Sequence, residues 1–229
     1  MASYILSLET ATHTCSVALH HQDQLLAVQD YHLEKSHSSI LHSLVRDMLG
    51  YCELGHEDLA AVAISMGPGS YTGLRIGTSA AKGLCFSLDI PLIAVDTLEA
   101  MAYSVQNFNL KQALLCPMLD ARRMEVYCQI RDTYGKEIME TQPMIIEENS
   151  FVSYLHDNEI LFFGNGSTKC KKLIQANSKN AHFIDGIEPS AASVGAIAWR
   201  KYCKKEFVDL AYFVPNYLKE FRSTKPRKK

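Results

Sequence analysis

Leu59-Ala-Ala-Val-Ala-Ile-Ser65 followed by Met66-Gly-Pro-Gly-Ser-Tyr-Thr-Gly-Leu-Arg-Ile-Gly77 decides how this chain folds. The first half is short, apolar and rich in Val, Ile and Ala, which reads as a strand buried on both faces. The second half is a glycine turn that runs into a helix. Gly67 and Gly69 permit backbone angles that other residues avoid, Pro68 stiffens the turn, and Ser70 is placed to cap the helix. Backbone N–H groups at such a helix start, together with the helix dipole, favour a phosphate or another anion. The spacing is that of neither a P-loop nor a dinucleotide fingerprint, so a tight capped turn is an equally good reading. Gly73, Gly77 and Ala81 then recur every four residues, a smooth stripe suited to close approach of another helix, from the same lobe or from a partner.

Upstream, Ile5 to Glu9, Cys15 to His20 and Leu25 to Tyr31 are short apolar runs joined by links of hairpin length, an antiparallel three-stranded opening. Ile40, Leu41, Leu44, Val45, Met48, Leu49 and Cys52 recur at helical spacing, with Ser36 or Ser38 as the cap. The apolar stripe of that helix is wide enough for part of it to face a partner. Downstream, Pro91 to Val95 reads as a strand and Thr97 to Val105 as a helix. The order β-β-β-α-β-α-β-α implies an α/β lobe with a mixed sheet covered by helices, residues 1–105. Periodicity lapses at Gln106 to Lys111, and a smaller lobe, 106–218, follows. Its strands are Leu114 to Leu119, Glu125 to Arg131, one after the Tyr134-Gly-Lys136 turn, and Ile160 to Phe163. Gly164-Asn-Gly166 opens a helix, and a last helix from near Ser193 to about Cys203 is expected to pack back on the first lobe. Residues 219–229 are mostly Lys and Arg and read as a basic, flexible tail. No internal repeat is visible.

A chain of 229 residues that is 47% hydrophobic, with net charge -2 and pI near 6.5, is an ordinary globular sequence, which excludes disordered and collagen-like classes. Lys82, Asp89 and Pro91 interrupt its most apolar region, so no membrane span is expected. Seven cysteines without a C-x-x-C pair fit reduced thiols in a cytoplasm.

Glu9-Thr10-Ala-Thr12-His13-Thr14 forms the tip of the first hairpin, where a carboxylate and hydroxyls could hold a metal-bound phosphate. With no glycine there, a polar turn is the better reading. Asp120-Ala-Arg122-Arg-Met-Glu125 carries both charges before a strand, consistent with an inter-lobe ionic contact or with plain solvation. The histidines have no H-x-x-x-H or H-E-x-x-H spacing, and no G-x-S-x-G elbow occurs, so neither a metal site nor a serine nucleophile is expected. Lys225-Pro-Arg-Lys-Lys229 could touch nucleic-acid phosphates as point charges, although such tails are usually just solvated.

With these segments in place the chain resembles the TsaB (YeaZ) family, small paralogues of the bacterial tRNA threonylcarbamoyladenosine synthase TsaD. The resemblance rests on Glu9-Thr-Ala-Thr with Cys15-Ser-Val-Ala-Leu, the Gly67 to Gly77 block, Asp120-Ala-Arg with Glu125-Val-Tyr, Gly164-Asn-Gly, and Tyr217-Leu, and it covers nearly the whole chain. It implies the actin-like, Hsp70-like ATPase (ASKHA) fold in two lobes, the second reduced. In the TsaD-type relatives the helix after the strand equivalent to Pro91 to Val95 carries an i, i+4 histidine pair that holds a metal; the positions here read Thr97 and Met101. The resemblance therefore implies a non-catalytic scaffold without a metal, which dimerises with a TsaD-type synthase, works with a TsaE-type ATPase, meets tRNA through the complex, and forms a homodimer alone. The family's dimer seam falls on Ile40, Leu41, Leu44, Val45, Met48, Gly73, Gly77 and Ala81; enlarging Gly73 or Gly77 should then abolish the heterodimer and spare the monomer. No nucleotide is expected to bind tightly, with ATP or ADP placed at the complex interface. Its candidate contacts are Thr10, Thr12, Gly67, Gly69, Ser70, Gly164 and Gly166. Glu9 stands where most relatives have a shorter Asp. The competing function is a stand-alone enzyme of the superfamily, an ATP-dependent kinase or a glycoprotease-like metallopeptidase.

Overall fold

A computed structural model describes residues 4–33, 37–176 and 178–219. The first lobe runs β1 (Tyr4–Glu9), β2 (Thr14–His21), β3 (Gln24–His32), α1 (His37–Tyr51), β4 (Leu59–Ser65), α2 (Tyr71–Leu88), β5 (Leu92–Val95) and α3 (Thr97–Gln106). Its sheet has the order β3-β2-β1-β4-β5. The two hairpins pair antiparallel, and β1–β4 and β4–β5 pair parallel, which requires the helical crossovers α1 and α2. The sheet is covered on both faces, so β1 and β4 are apolar almost throughout. Leu6 and Leu8 pack with Val62 and Ile64 under α1 and α2, whereas Ile5, Ala61, Ala63 and Ile93 face the opposite way.

The second lobe contains β6 (Leu114–Asp120), β7 (Glu125–Arg131), β8 (Glu137–Ile145), α4 (Val152–Asp157), β9 (Ile160–Phe163), α5 (Ser167–Gln175), β10 (Ala181–Ile184) and α6 (Ala191–Cys203). Its sheet order, β10-β9-β6-β7-β8, is the first order repeated with β6 in the place of β1. The duplication leaves no trace as a sequence repeat because the crossovers differ: α4 and α5 have 6 and 9 residues where α1 and α2 have 15 and 18. The 3-10 turn His56–Asp58, α4 and β10 have no counterpart in the sequence reading. α4 is a helix of six residues and β10 a strand of four, too little for either period to register.

The third helices tie the lobes together. Val194, Ile197 and Ala198 of α6 cover the free face of the first sheet, and Leu98, Met101 and Val105 of α3 pack on Leu115, Leu119 and Phe163 of the second lobe. α6 begins at Ala191, capped by the Ser190 hydroxyl, which accepts from Ala192 N–H. Gly195 allows this close seat, since a Cβ there would collide with His20 and Ser7. α1 starts at His37, so Ser38 lies inside it and is not its cap; Ser36 lies outside the described residues. The tail reading needs a correction at its first residue, because Lys219 forms an ion pair with Glu125 of β7. Residues 220–229 lie outside the described residues. Among the described residues no helix is long and apolar enough to cross a membrane.

Candidate partner interface

The β1–β2 turn and the Gly67 loop interlock. Ser70 N–H donates to Ala11 O, and the Ser70 hydroxyl accepts from Gly73 N–H at 3.3 Å, the cap expected from sequence. A Cβ on Gly69 would strike Ala11 O, one on Gly73 the Thr10 carbonyl oxygen, and one on Gly77 the Thr10 hydroxyl. The stripe Gly73, Gly77, Ala81 therefore faces inward, against the turn and Ile64, and Ala81 is fully buried. This corrects the assignment of these three residues to a partner surface: the close approach that glycine permits is used within the lobe. The remaining glycines singled out for an anion are filled in the same way. Gly67, at φ +105°, faces Asn216 O; Gly164 faces Met118 O and the Met101 side chain; Gly166 lies against Leu119 and donates its N–H to Met118 O. Thr10 is fully buried, and the Thr12 hydroxyl accepts from Thr14 N–H at 3.2 Å. The structure thus does not bring Thr10, Thr12, Gly67, Gly69, Ser70, Gly164 and Gly166 together as an open anion cradle.

Glu9 is fully buried beneath this turn, with Oε1 accepting from Ala11 N–H at 2.5 Å. Burial pushes its carboxyl up to about 7, against the lowering effect of that N–H.

The outward face of α1 and α2 carries a groove of about 490 Å³. Ser38 and His42 of α1 line one wall; Arg75, Ile76, Ser79, Ala80, Gly83, Leu84 and Ser87 of α2 line the floor and the other. Leu41, Leu44, Val45 and Met48, expected at a partner seam, point instead into the lobe's own core, and Ile40 is half-buried against it. The correction is a rotation of about one row on each helix. On α2 the accessible row combines the small residues Ser79, Gly83 and Ser87 with Ile76 and Leu84, and it carries the same i, i+3/i+4 spacing as the buried row. Tyr51 and Phe86, near the C-terminal ends of the two helices, are each 82% exposed. An open groove with a floor of small and apolar residues, and His42 and Arg75 among its polar lining, is suited to close packing of a partner.

Of the expected inter-lobe group, Asp120 pairs within the second lobe, with Lys169 of α5, whereas Glu125 pairs with Lys219, which follows a segment held on the first lobe by Asn216 N–H donating to Met66 O. The Arg122 side chain pairs with no described residue. Further polar contacts join the lobes: Gln106 donates to Thr133 O, Lys201 to Ala94 O and Ala191 N–H to the Ser16 hydroxyl, and another gathers at Asp96. Asp96 caps α3 through Glu99 N–H at 2.9 Å and accepts from Thr141 of β8 at 3.4 Å. Burial raises the Asp96 carboxyl to about 6. Arg131 of β7 reaches Glu99 at 3.4 Å.

Thr97 and Met101, one helical turn apart on α3, are 0% and 1% exposed, with the Met101 side chain directed at Gly164. Among the described residues no three His, Cys, Asp or Glu side chains cluster as ligands.

Residues 28–223 match the family model described as TsaD, tRNA N6-adenosine threonylcarbamoyltransferase. The chain is 31% identical over 218 residues to the tRNA threonylcarbamoyladenosine biosynthesis protein TsaB of Bacillus subtilis, covering 94% of this chain and 93% of the relative. YeaZ from Pseudomonas aeruginosa superposes with a TM-score of 0.78 at 25% identity, over 94% of this chain and all of that one. An activator of 2-hydroxyisocaproyl-CoA dehydratase from Clostridium difficile, solved with ADPNP, shares the fold alone, with a TM-score of 0.51 at 10% identity over 91% and 99% of the two chains. The repeated sheet order and these likenesses identify the two-lobed actin-like architecture with a reduced second lobe. On the length of its match, the chain belongs to the TsaB (YeaZ) family.

Proposed function

We propose that this chain is the non-catalytic subunit of a cytoplasmic complex that adds threonylcarbamoyl to the tRNA adenosine beside the anticodon. It docks on a TsaD-type synthase through the outward face of α1 and α2 and, together with a TsaE-type ATPase, supports the synthase's active arrangement. Alone, it pairs with a second copy through the same groove. The observation that carries this reading is α3. The two positions corresponding to the synthase's imidazole pair are Thr97 and Met101, and Met101 is sealed in apolar contact with the second lobe. A thioether packed in a core is neither the ligand nor the open coordination position that a metal-dependent transferase or peptidase needs.

A stand-alone kinase would need a phosphate cradle at Glu9 to Thr14. The backbone there is packed under Gly69 and Gly73, and Ser70 N–H is already bonded to Ala11. Calorimetric titration of the isolated chain with Mg-ATP is expected to show weak or no binding, and sub-micromolar binding would favour the kinase. The docking surface is tested by Gly83→Arg, since a Cβ at Gly83 meets nothing within 4 Å and the long side chain fills the groove without disturbing the lobe. Size-exclusion chromatography with the synthase subunit should show loss of the heterodimer and a folded monomer. A retained complex would refute the assignment of this face.

A further inference from the structure

We infer that the tip of the β6–β7 hairpin is a contact for the phosphate backbone of RNA; the inference rests on the proposed function and names one surface that the tRNA meets. The tip reads Ala121-Arg122-Arg123-Met124, closed by Ala121 N–H donating to Glu125 O at 3.0 Å and Glu125 N–H donating to Arg122 O at 3.2 Å. Both arginines lie in the left-handed region, Arg122 at φ +70° and Arg123 at φ +51°. They stand in a three-residue loop between the paired Ala121 and Glu125, and the left-handed region suits Asn and Gly better than a long side chain. Two arginines occupy it at a cost, and strained backbone of this kind concentrates where side chains bind something.

The charges point to the ligand. The neighbouring carboxylates are covered, Asp120 by Lys169 and Glu125 by Lys219, and Lys169 also donates to Glu125 O at 2.6 Å. Both guanidiniums are exposed, and neither forms an ion pair or hydrogen bond with another described residue. Lys219, the last described residue, brings a further ammonium to Glu125 at the base of the tip. Uncompensated guanidiniums with further cations next to them suit the planar, multiply charged oxygens of a phosphate chain.

The test is the full-length chain carrying Arg122→Asn with Arg123→Gly, the residues the backbone prefers. Fluorescence anisotropy with an unmodified tRNA transcript should show affinity reduced about tenfold and a salt dependence shallower by about two phosphate contacts. Thermal unfolding should be unchanged or shifted upward, and the double lysine variant should retain most of the affinity. Unchanged RNA affinity and salt slope would overturn the inference, as would loss of co-elution with the synthase subunit or the ATPase with RNA binding intact, which would make the tip a protein contact. If the parent chain binds the transcript but never co-elutes with a synthase, the proposed function falls and this surface stands.

Discussion

Replacing Gly73 with alanine tests the inward orientation of the α2 glycine row. The new Cβ would press on the Thr10 carbonyl oxygen, with the His37 ring 3.3 Å away on another side. Thr10 and Ala11 are 0% and 1% exposed, so the turn has nowhere to yield. Overpacking of this kind costs about 1 to 3 kcal/mol, and a clash with backbone belongs at the upper end. Alanine's helix preference over glycine offsets about 1 kcal/mol, leaving a net loss of about 1 to 2 kcal/mol. For a chain of this size that lowers Tm by about 2 to 8 °C. Gly83→Ala on the accessible row meets no atom within 4 Å, so only the helix preference remains and Tm should rise by about 2 to 4 °C. Scanning calorimetry of the two single variants reads both numbers. A Gly73→Ala protein as stable as the parent, or a Gly83→Ala protein less stable, would refute the assignment of the rows.

The other expectations concern the buried carboxyls. Glu9 is raised from 4.5 to about 7, so the folded protein keeps a proton that the unfolded chain has released; stability should fall by about 3 kcal/mol as pH rises from 4.5 to 7 and level off above. Buried His20, lowered from 6.5, acts in the opposite sense below that pH, so urea melts of wild type against Glu9→Gln isolate the effect; identical pH slopes would count against it. Asp96→Ala removes the α3 cap and the contact with Thr141, and should cost about 1 to 2 kcal/mol. Asp96→Asn should lose less than half of that in the same melts, and an equal loss would mean that the charge, not the cap, matters.

The first lobe is legible because each of its elements meets one strong period and one clear stop. Leu59 to Ser65 is bounded by a glycine turn, and Ser70 supplies a side-chain cap that propensity alone identifies. The second lobe is less legible because α4 and β10 are shorter than the window in which periodicity registers, and their stability comes from packing on Phe162 and Ile174. On α1 and α2, the rows that sequence selects for a partner are turned into the lobe's own core. A glycine stripe shows that something approaches closely, not what, and the approaching group is Thr10, more than sixty residues upstream of Gly73 and Gly77. The contact at Asp96 leaves no mark in the sequence for a related reason, since only the fold brings Thr141 of β8 to it.

The most direct measurement of the central claim is threonylcarbamoyl transfer to tRNA in a mixture of purified synthase subunit, ATPase subunit, ATP and threonylcarbamoyl donor. Product is expected with the wild-type chain, little without it or with the Gly83→Arg chain, and none from this chain alone. Product formed by this chain without the synthase, or full activity with the groove blocked, would contradict that claim.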